Sequence, residues 1–289
     1  MRAFLIDQHR HTLTTLLLLI FFSLLAGCAT RIPDDQKTEA QIYQEAQEAL
    51  DRERYLTAIE RLQALESRFP FGEYSEQTQL ELIYALYRNN QTEAARATAR
   101  RFIRLNPEHP QVDYALYMSG LAAWEAGRHA LEGLRLSDLS QRDPGATREA
   151  YADFERLATR FPDSEYTPDA LQRMRYLKNL LAAQEVYIGR FYLRRGAPIA
   201  AINRGREVLE AYADTPAVPD ALAVMIEGYR HLDQTEQAQR LQDLLAELAP
   251  DHPQLASQGR FVELHPADLP DKTLLQILTF DLLGGRRVR

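Results

Sequence analysis

Phe161 to Leu171 (FPDSEYTPDAL) and Tyr212 to Leu222 (YADTPAVPDAL) are one passage written twice. Each begins on an aromatic residue and turns through small polar residues. Each then re-enters helix-forming sequence at Pro-Asp-Ala-Leu, where proline suits the first helical position. A second pair repeats in the same way: Pro107-Glu108-His109-Pro110-Gln111 matches Pro250-Asp251-His252-Pro253-Gln254. A fifth helix end, Arg68-Phe69-Pro70, closes as Arg160-Phe161-Pro162 does. Turns that recur in this form mark an internal repeat.

Between the turns, runs rich in Ala, Leu, Glu, Gln and Arg carry apolar residues at helical spacing, as in Ile59, Leu62 and Leu65. Long alternating β-branched runs are absent, as are Asn-Gly and Asp-Gly hairpin signals. Taken at positions 70, 107, 162, 213 and 250, the turn marks are separated by 37, 55, 51 and 37 residues. A tetratricopeptide unit is ~34 residues of helix–turn–helix. Such a unit needs a small residue where its second helix crosses the first. Twelve positions before the five marks stand Ala58, Ala95, Ala150, Ala201 and Ala238. Twenty-one positions before them stand Ala49, Leu86, Gln141, Tyr192 and Tyr229, and Gln141 breaks the apolar pattern. The long third step explains it, because an insertion over 128–145 moves the count off the first helix. In the fourth unit, Pro168 starts a stretch that holds one glycine and no proline up to Arg195, one long helix or two short ones. The fold expected is all-α, a tetratricopeptide-repeat solenoid of five helix-turn-helix units. No unit buries its apolar face alone, so neighbours must stack.

The chain is 45% hydrophobic and 26% charged over 289 residues, which is ample for a core. A net charge of −7 without a basic stripe argues against nucleic-acid binding. The N-terminus sets the compartment. Arg2 and Arg10 precede an uncharged apolar run, Leu13 to Leu25, too short to span a bilayer comfortably and suited to a secretory signal peptide. The run ends in Leu25-Ala26-Gly27-Cys28, which resembles the lipobox of bacterial lipoproteins, with Cys28 the single cysteine of the chain. The domain plan is a signal peptide over 1–27, a lipidated tether over 28–40, a repeat domain over 41–253 and a C-terminal extension over 254–289. Lipid on Cys28 anchors the chain to a membrane, and several acyl chains hold far more firmly than one. Ala29, not Asp, follows the cysteine; resemblance to the lipoprotein sorting pattern implies the outer membrane, with the body facing the periplasm. In the extension, Thr273 to Leu283 is apolar nearly all round and ends at Gly284-Gly285. Such a segment is expected to cap the last repeat or to dock on a partner or the membrane surface, helped by Arg286, Arg287 and Arg289.

No catalytic motif is present: no His-Glu-x-x-His, no Gly-x-Ser-x-Gly, no phosphate loop and no Gly-x-Gly-x-x-Gly. His109 and His252 stand at equivalent turns before proline, so a turn role is expected of both.

Arg68 to Arg88 (RFPFGEYSEQTQLELIYALYR), Arg101 to Leu121 (RFIRLNPEHPQVDYALYMSGL), Arg142-Asp143-Pro144 and Ala200 to Arg204 (AAINR) resemble the BamD (ComL) family, lipoproteins of the outer-membrane β-barrel assembly machinery. The resemblance covers the chain from about Ile42 to about Leu248 with the lipobox in front. It implies a non-enzymatic subunit without a cofactor. Its implied partners are the barrel subunit through its periplasmic domains, accessory lipoproteins and unfolded β-barrel substrates. Asn203 and Arg204 become candidates for contact with the barrel subunit, and Arg is enriched at interface hot spots. A solvated surface role is the alternative for Arg204. If its guanidinium meets a carboxylate of the partner, Arg204→Glu is expected to weaken docking by several kcal/mol, while folding, as for a surface charge change, loses under ~0.5 kcal/mol. Phe71, Tyr74, Tyr84 and Tyr87 become candidates for substrate contact, with helix-packing core as the alternative for each. A different periplasmic repeat lipoprotein, an adaptor for pilus or cell-wall synthesis, is the competing reading of the whole chain.

Overall fold

The structure is a computed structural model that describes residues 33–132, 145–256 and 260–264, and these contain ten α-helices. They are α1 (Glu39–Asp51), α2 (Tyr55–Arg68), α3 (Ser75–Arg88), α4 (Thr92–Leu105), α5 (Val112–Glu132), α6 (Gly145–Arg160), α7 (Thr167–Arg194), α8 (Pro198–Ala211), α9 (Val218–Arg230) and α10 (Thr235–Leu248). They form five helix pairs of tetratricopeptide type. The chain divides into two compact units, one up to Ser75 and one from Glu76 onward.

In the first unit, Thr38 begins α1 with a capping box. Its hydroxyl accepts from the Gln41 amide at 3.3 Å, and the Gln41 side chain accepts from the Thr38 amide at 2.9 Å. Ile42, Ala46 and Ala49 of α1 and Ala58, Ile59, Leu62 and Leu65 of α2 are buried. The larger of these contribute ~1.5–3 kcal/mol each. Residues 33–40, expected as tether, are folded here rather than loose. Arg68 donates to the carbonyls of Asp34, Asp35 and Lys37 and so closes a short 3₁₀ turn over Asp34–Gln36. Lys37 and Arg61 both pair with Asp34, and the hydrogen bonds from these two cations hold its carboxyl at about 2.

The second unit has a core built from α3 to α7, including Ile83, Phe102, Leu116, Phe154 and Leu157. Ala170 and Leu177 of α7 belong to that core, while Ala182, Val186 and Leu193 belong to the next, shared with α8 and α9. The passage from Pro168 onward is thus one 28-residue helix that joins two cores. In the third repeat, α5 runs on to Glu132, past the expected start of the insertion at 128. Gln141 and the rest of 133–144 lie outside the described residues, as do 1–32 with Cys28 and 265–289 with Thr273 to Leu283.

The register is written into the turns. At the first mark the Phe69, Gly72 and Ser75 amides donate to Leu65, Phe69 and Gly72. The same three bonds recur at Asn106, His109 and Val112, at Phe161, Ser164 and Thr167, at Tyr212, Thr215 and Val218, and at Ala249, His252 and Leu255. The turns within repeats are equally alike. Arg54, Gln91, Ala197 and Gln234 each donate to the carbonyl five residues back, on Ala49, Leu86, Tyr192 and Tyr229. Glu53, Asn90, Gly196 and Asp233 before them sit at φ 54°, 62°, 67° and 58°. These are Schellman closures, which satisfy carbonyls at a helix end. All five register alanines are buried.

Candidate functional site

Helix α8 faces its neighbours with Ala201, Ile202, Gly205 and Val208. The approach at Gly205 is close: a Cβ there would lie 2.4 Å from Met225 Cγ and 2.9 Å from the Ala221 carbonyl oxygen. With that side pressed against α9, Asn203 points to solvent and Arg204 is half-exposed. Asn203 Oδ1 accepts from Arg206 at 3.2 Å.

Arg204 is engaged within its own chain. Its Nη1 donates to Oε2 of Glu185, on α7, at 2.9 Å. The other carboxylate oxygen, Oε1, accepts from Nη2 of Arg148, at the start of α6, at 3.4 Å. The Glu185 side chain is 4% exposed, against 40% for Arg204 and 54% for Arg148. A carboxylate withdrawn from water to that degree must be paired, and here two cations from two other helices pair it. The bond to Glu185 raises the Arg204 pKa above its usual value, with a further bond to Tyr192. Sequence reasoning did not reach Arg148 or Glu185. Their meeting joins positions 37 residues apart, and no local pattern signals it.

The aromatic candidates divide between the two units. In the first, Phe71 stands 98% exposed in the turn after α2. Beside it, the Tyr74 ring stacks on Tyr43 with centroids 4.3 Å apart, and the Tyr74 amide donates to Glu39 at 3.0 Å. Gly72 makes room for that carboxylate, since a Cβ there would lie 2.0 Å from Glu39 Oε1. Tyr74 therefore helps pin the turn that displays Phe71. In the second unit, Tyr84 and Tyr87 are half-buried and pack against the core. The Arg88 guanidinium lies over the Tyr84 ring at 5.5 Å. Both side chains thus serve as packing while keeping an edge at the surface.

A family model described as "YfiO: Outer membrane lipoprotein" matches residues 35–244. The outer membrane protein assembly factor BamD of Vibrio cholerae is 45% identical over 78% of this chain and 95% of its own length. The chain belongs to the BamD family. The BamD proteins of Neisseria gonorrhoeae and Neisseria meningitidis serogroup B are 36% and 38% identical, over 85% and 82% of this chain and 93% and 91% of theirs. A tetratricopeptide repeat protein of Parabacteroides merdae superposes with a TM-score of 0.34 at 14% identity, over 74% of this chain and 68% of that one, too loosely to add to the fold described above.

For this BamD-family chain the repeated histidines have structural work. His109 Nδ1 accepts from the Gln111 amide at 3.1 Å, and His252 Nδ1 accepts from the Gln254 amide at 3.2 Å. Both imidazoles close a turn, as their positions in the repeat suggest. Among the described residues, no helix is long and apolar enough to cross a membrane, and no group of three or more His, Cys, Asp or Glu is placed to hold a metal ion.

Proposed function

We propose that this chain is a non-enzymatic lipoprotein subunit of the outer-membrane β-barrel assembly machinery. The observation that carries the reading is likeness along nearly the whole length of a named assembly factor: 95% of the Vibrio cholerae protein at 45% identity. Lipid on Cys28 holds the chain on the outer membrane, with the repeats in the periplasm. The α8 face with Asn203 and Arg204 docks the periplasmic domains of the barrel subunit. Phe71 and Tyr74 in the first unit, and the edges of Tyr84 and Tyr87 in the second, receive unfolded β-barrel substrates. Accessory lipoproteins join through other faces, and no cofactor takes part.

Chemistry favours these assignments. An aromatic ring held in water on a pinned turn keeps a large apolar surface available at little further entropic cost. An arginine fixed by a buried partner presents its remaining donors in a set direction. The competing adaptor reading has no observation in its favour.

The test is a pull-down of the tagged chain from detergent-solubilised membranes. Recovery of a β-barrel protein with periplasmic domains is expected, and its loss from a Cys28→Ala strain would fit the anchor. Recovery of pilus or cell-wall synthesis proteins in its place overturns the reading.

A further inference from the structure

The last repeat departs from the other four along one side of its second helix. Nine, six and two positions before its mark at 250 stand Leu241, Leu244 and Leu248. At the first offset the other repeats carry Arg61, Thr98, Asp153 and Arg204. At the second they carry Ala64, Arg101, Arg156 and Glu207, and at the third Arg68, Leu105, Arg160 and Ala211. Leu105 alone among these is large and apolar. Steps of three and four residues set the three leucines on one stripe of α10, beside the buried Leu245. Leu241 is half-buried against the core that Phe261 joins, whereas Leu244 is 39% exposed and Leu248 56%. The stripe thus starts at the edge of that core and runs on into solvent.

The chain itself supplies an apolar run to cover it. One guanidinium, that of Arg230, donates to Gln242 of α10 at 2.8 Å and to Glu263 at 3.3 Å. The chain therefore passes beside the stripe at Glu263 and Leu264, where the described residues stop. Eight residues, 265–272, then lead to the run from Thr273 to Leu283. Eight extended residues reach up to about 27 Å, while Gln242 to Leu248 takes up only ~9 Å of helix. So short a tether holds the run in the millimolar range of effective concentration, which a second copy or an untethered partner must outcompete. Charge agrees with this occupant. The exposed Asp243 and Glu247 flank the stripe, and Arg286, Arg287 and Arg289 follow the run. We propose that the segment from Thr273 to Leu283 folds back on α10, covers Leu241, Leu244 and Leu248, and so closes the open face of the last repeat. A stack of repeats needs such an end, because its terminal unit has no neighbour to bury its apolar side.

Paired cysteines test the proposal in the full-length protein in its native membrane. Leu248→Cys is combined in turn with Leu275→Cys, Leu278→Cys and Leu282→Cys. In the control set Gln239→Cys, at an exposed position on another side of α10, takes the place of Leu248→Cys. After mild oxidation the linked peptides are identified by mass spectrometry. At least one Leu248 pair should close within a single chain at several-fold the yield of its control, since a disulfide needs its two Cα atoms within about 7 Å. Equal yields in the two sets overturn the proposal, and so does a link that forms only between two copies or to another protein. Hydrogen exchange on the purified protein in lipid nanodiscs gives a second reading. Amides of 273–283 should exchange roughly ten-fold faster or more in Leu244→Lys than in the wild type, and Gln239→Lys should leave them unchanged, with thermal melts confirming the fold. Wild-type exchange in Leu244→Lys overturns the seat on α10. Should that variant fail to fold, the disulfide yields decide alone.

Discussion

Arg204 lies on a helix surface, yet it holds a buried carboxylate, so its replacement reaches into the fold. The sequence suggested a surface residue whose reversal costs folding under ~0.5 kcal/mol. The structure changes that expectation. Arg204→Glu would set a second carboxylate against Glu185, leaving Arg148 as its partner at 3.4 Å. Stripping a buried charge of its partner costs ~3–5 kcal/mol when both groups are buried. Arg204 is 40% exposed and Arg148 remains, so about 2–3 kcal/mol is expected from chemical denaturation. A loss of less than about 0.5 kcal/mol would mean that Glu185 does not depend on it. The register alanines are the simpler case. Ala201 has no exposed surface, and Ala201→Leu is expected to cost about 1–3 kcal/mol through overpacking. Gln239→Leu, on the exposed face of α10, should change stability by under ~0.5 kcal/mol. Equal melting temperatures for the two variants would contradict the repeat register. The alanines were legible because they recur at a fixed offset from a visible turn. The Arg148–Glu185–Arg204 cluster was not, because three helices bring it together across long stretches of sequence.

The elements divide along the same line between local signals and distant ones. Prolines and the aromatic turn residues announced where helices end, and all five turns closed with the same three hydrogen bonds. The turns inside the repeats were harder to read. Of the four residues at positive φ, one is glycine, while Asn90 and Asp233 belong to types that tolerate the left-handed region and Glu53 does not. The segment after the fifth turn was the least legible. At the place where a sixth helix would start, Leu255 forms a β-bridge with Phe261, which is buried against α9 and α10. Glu227, buried on α9, binds this segment: its Oε1 accepts from Gln254 Nε2 at 2.5 Å and from the Leu264 amide at 3.0 Å. Arg230 lies over the Phe261 ring and pairs with Glu263. Part of the expected extension is therefore a cover for the last repeat. Gln254→Ala should cost about 1–3 kcal/mol, because it removes a donor to a buried carboxylate. It should also speed hydrogen exchange at the Leu264 amide. Unchanged exchange there would show that the Gln254 side chain does not help to hold the segment.

For the molecule as a whole, two kinds of information combine. Periodicity and turn recurrence give the repeat fold, which is a scaffold shared by many functions. Family membership, resting on likeness from residue 35 to 244, ties this copy of the scaffold to outer-membrane protein assembly. Length and charge alone had no power to make that link. The residues proposed to act lie on surfaces that the helix packing leaves open: Phe71 on its pinned turn, and Asn203 with Arg204 above buried Glu185. The central claim is that the chain is needed to fold β-barrel proteins into the outer membrane. The most direct measurement is depletion of the chain in its host, followed by quantifying folded, heat-modifiable barrel proteins in the outer-membrane fraction. The account predicts that folded barrels fall while unfolded precursors build up in the periplasm, and that the wild-type chain restores them. Undiminished folded barrels after complete depletion would contradict it.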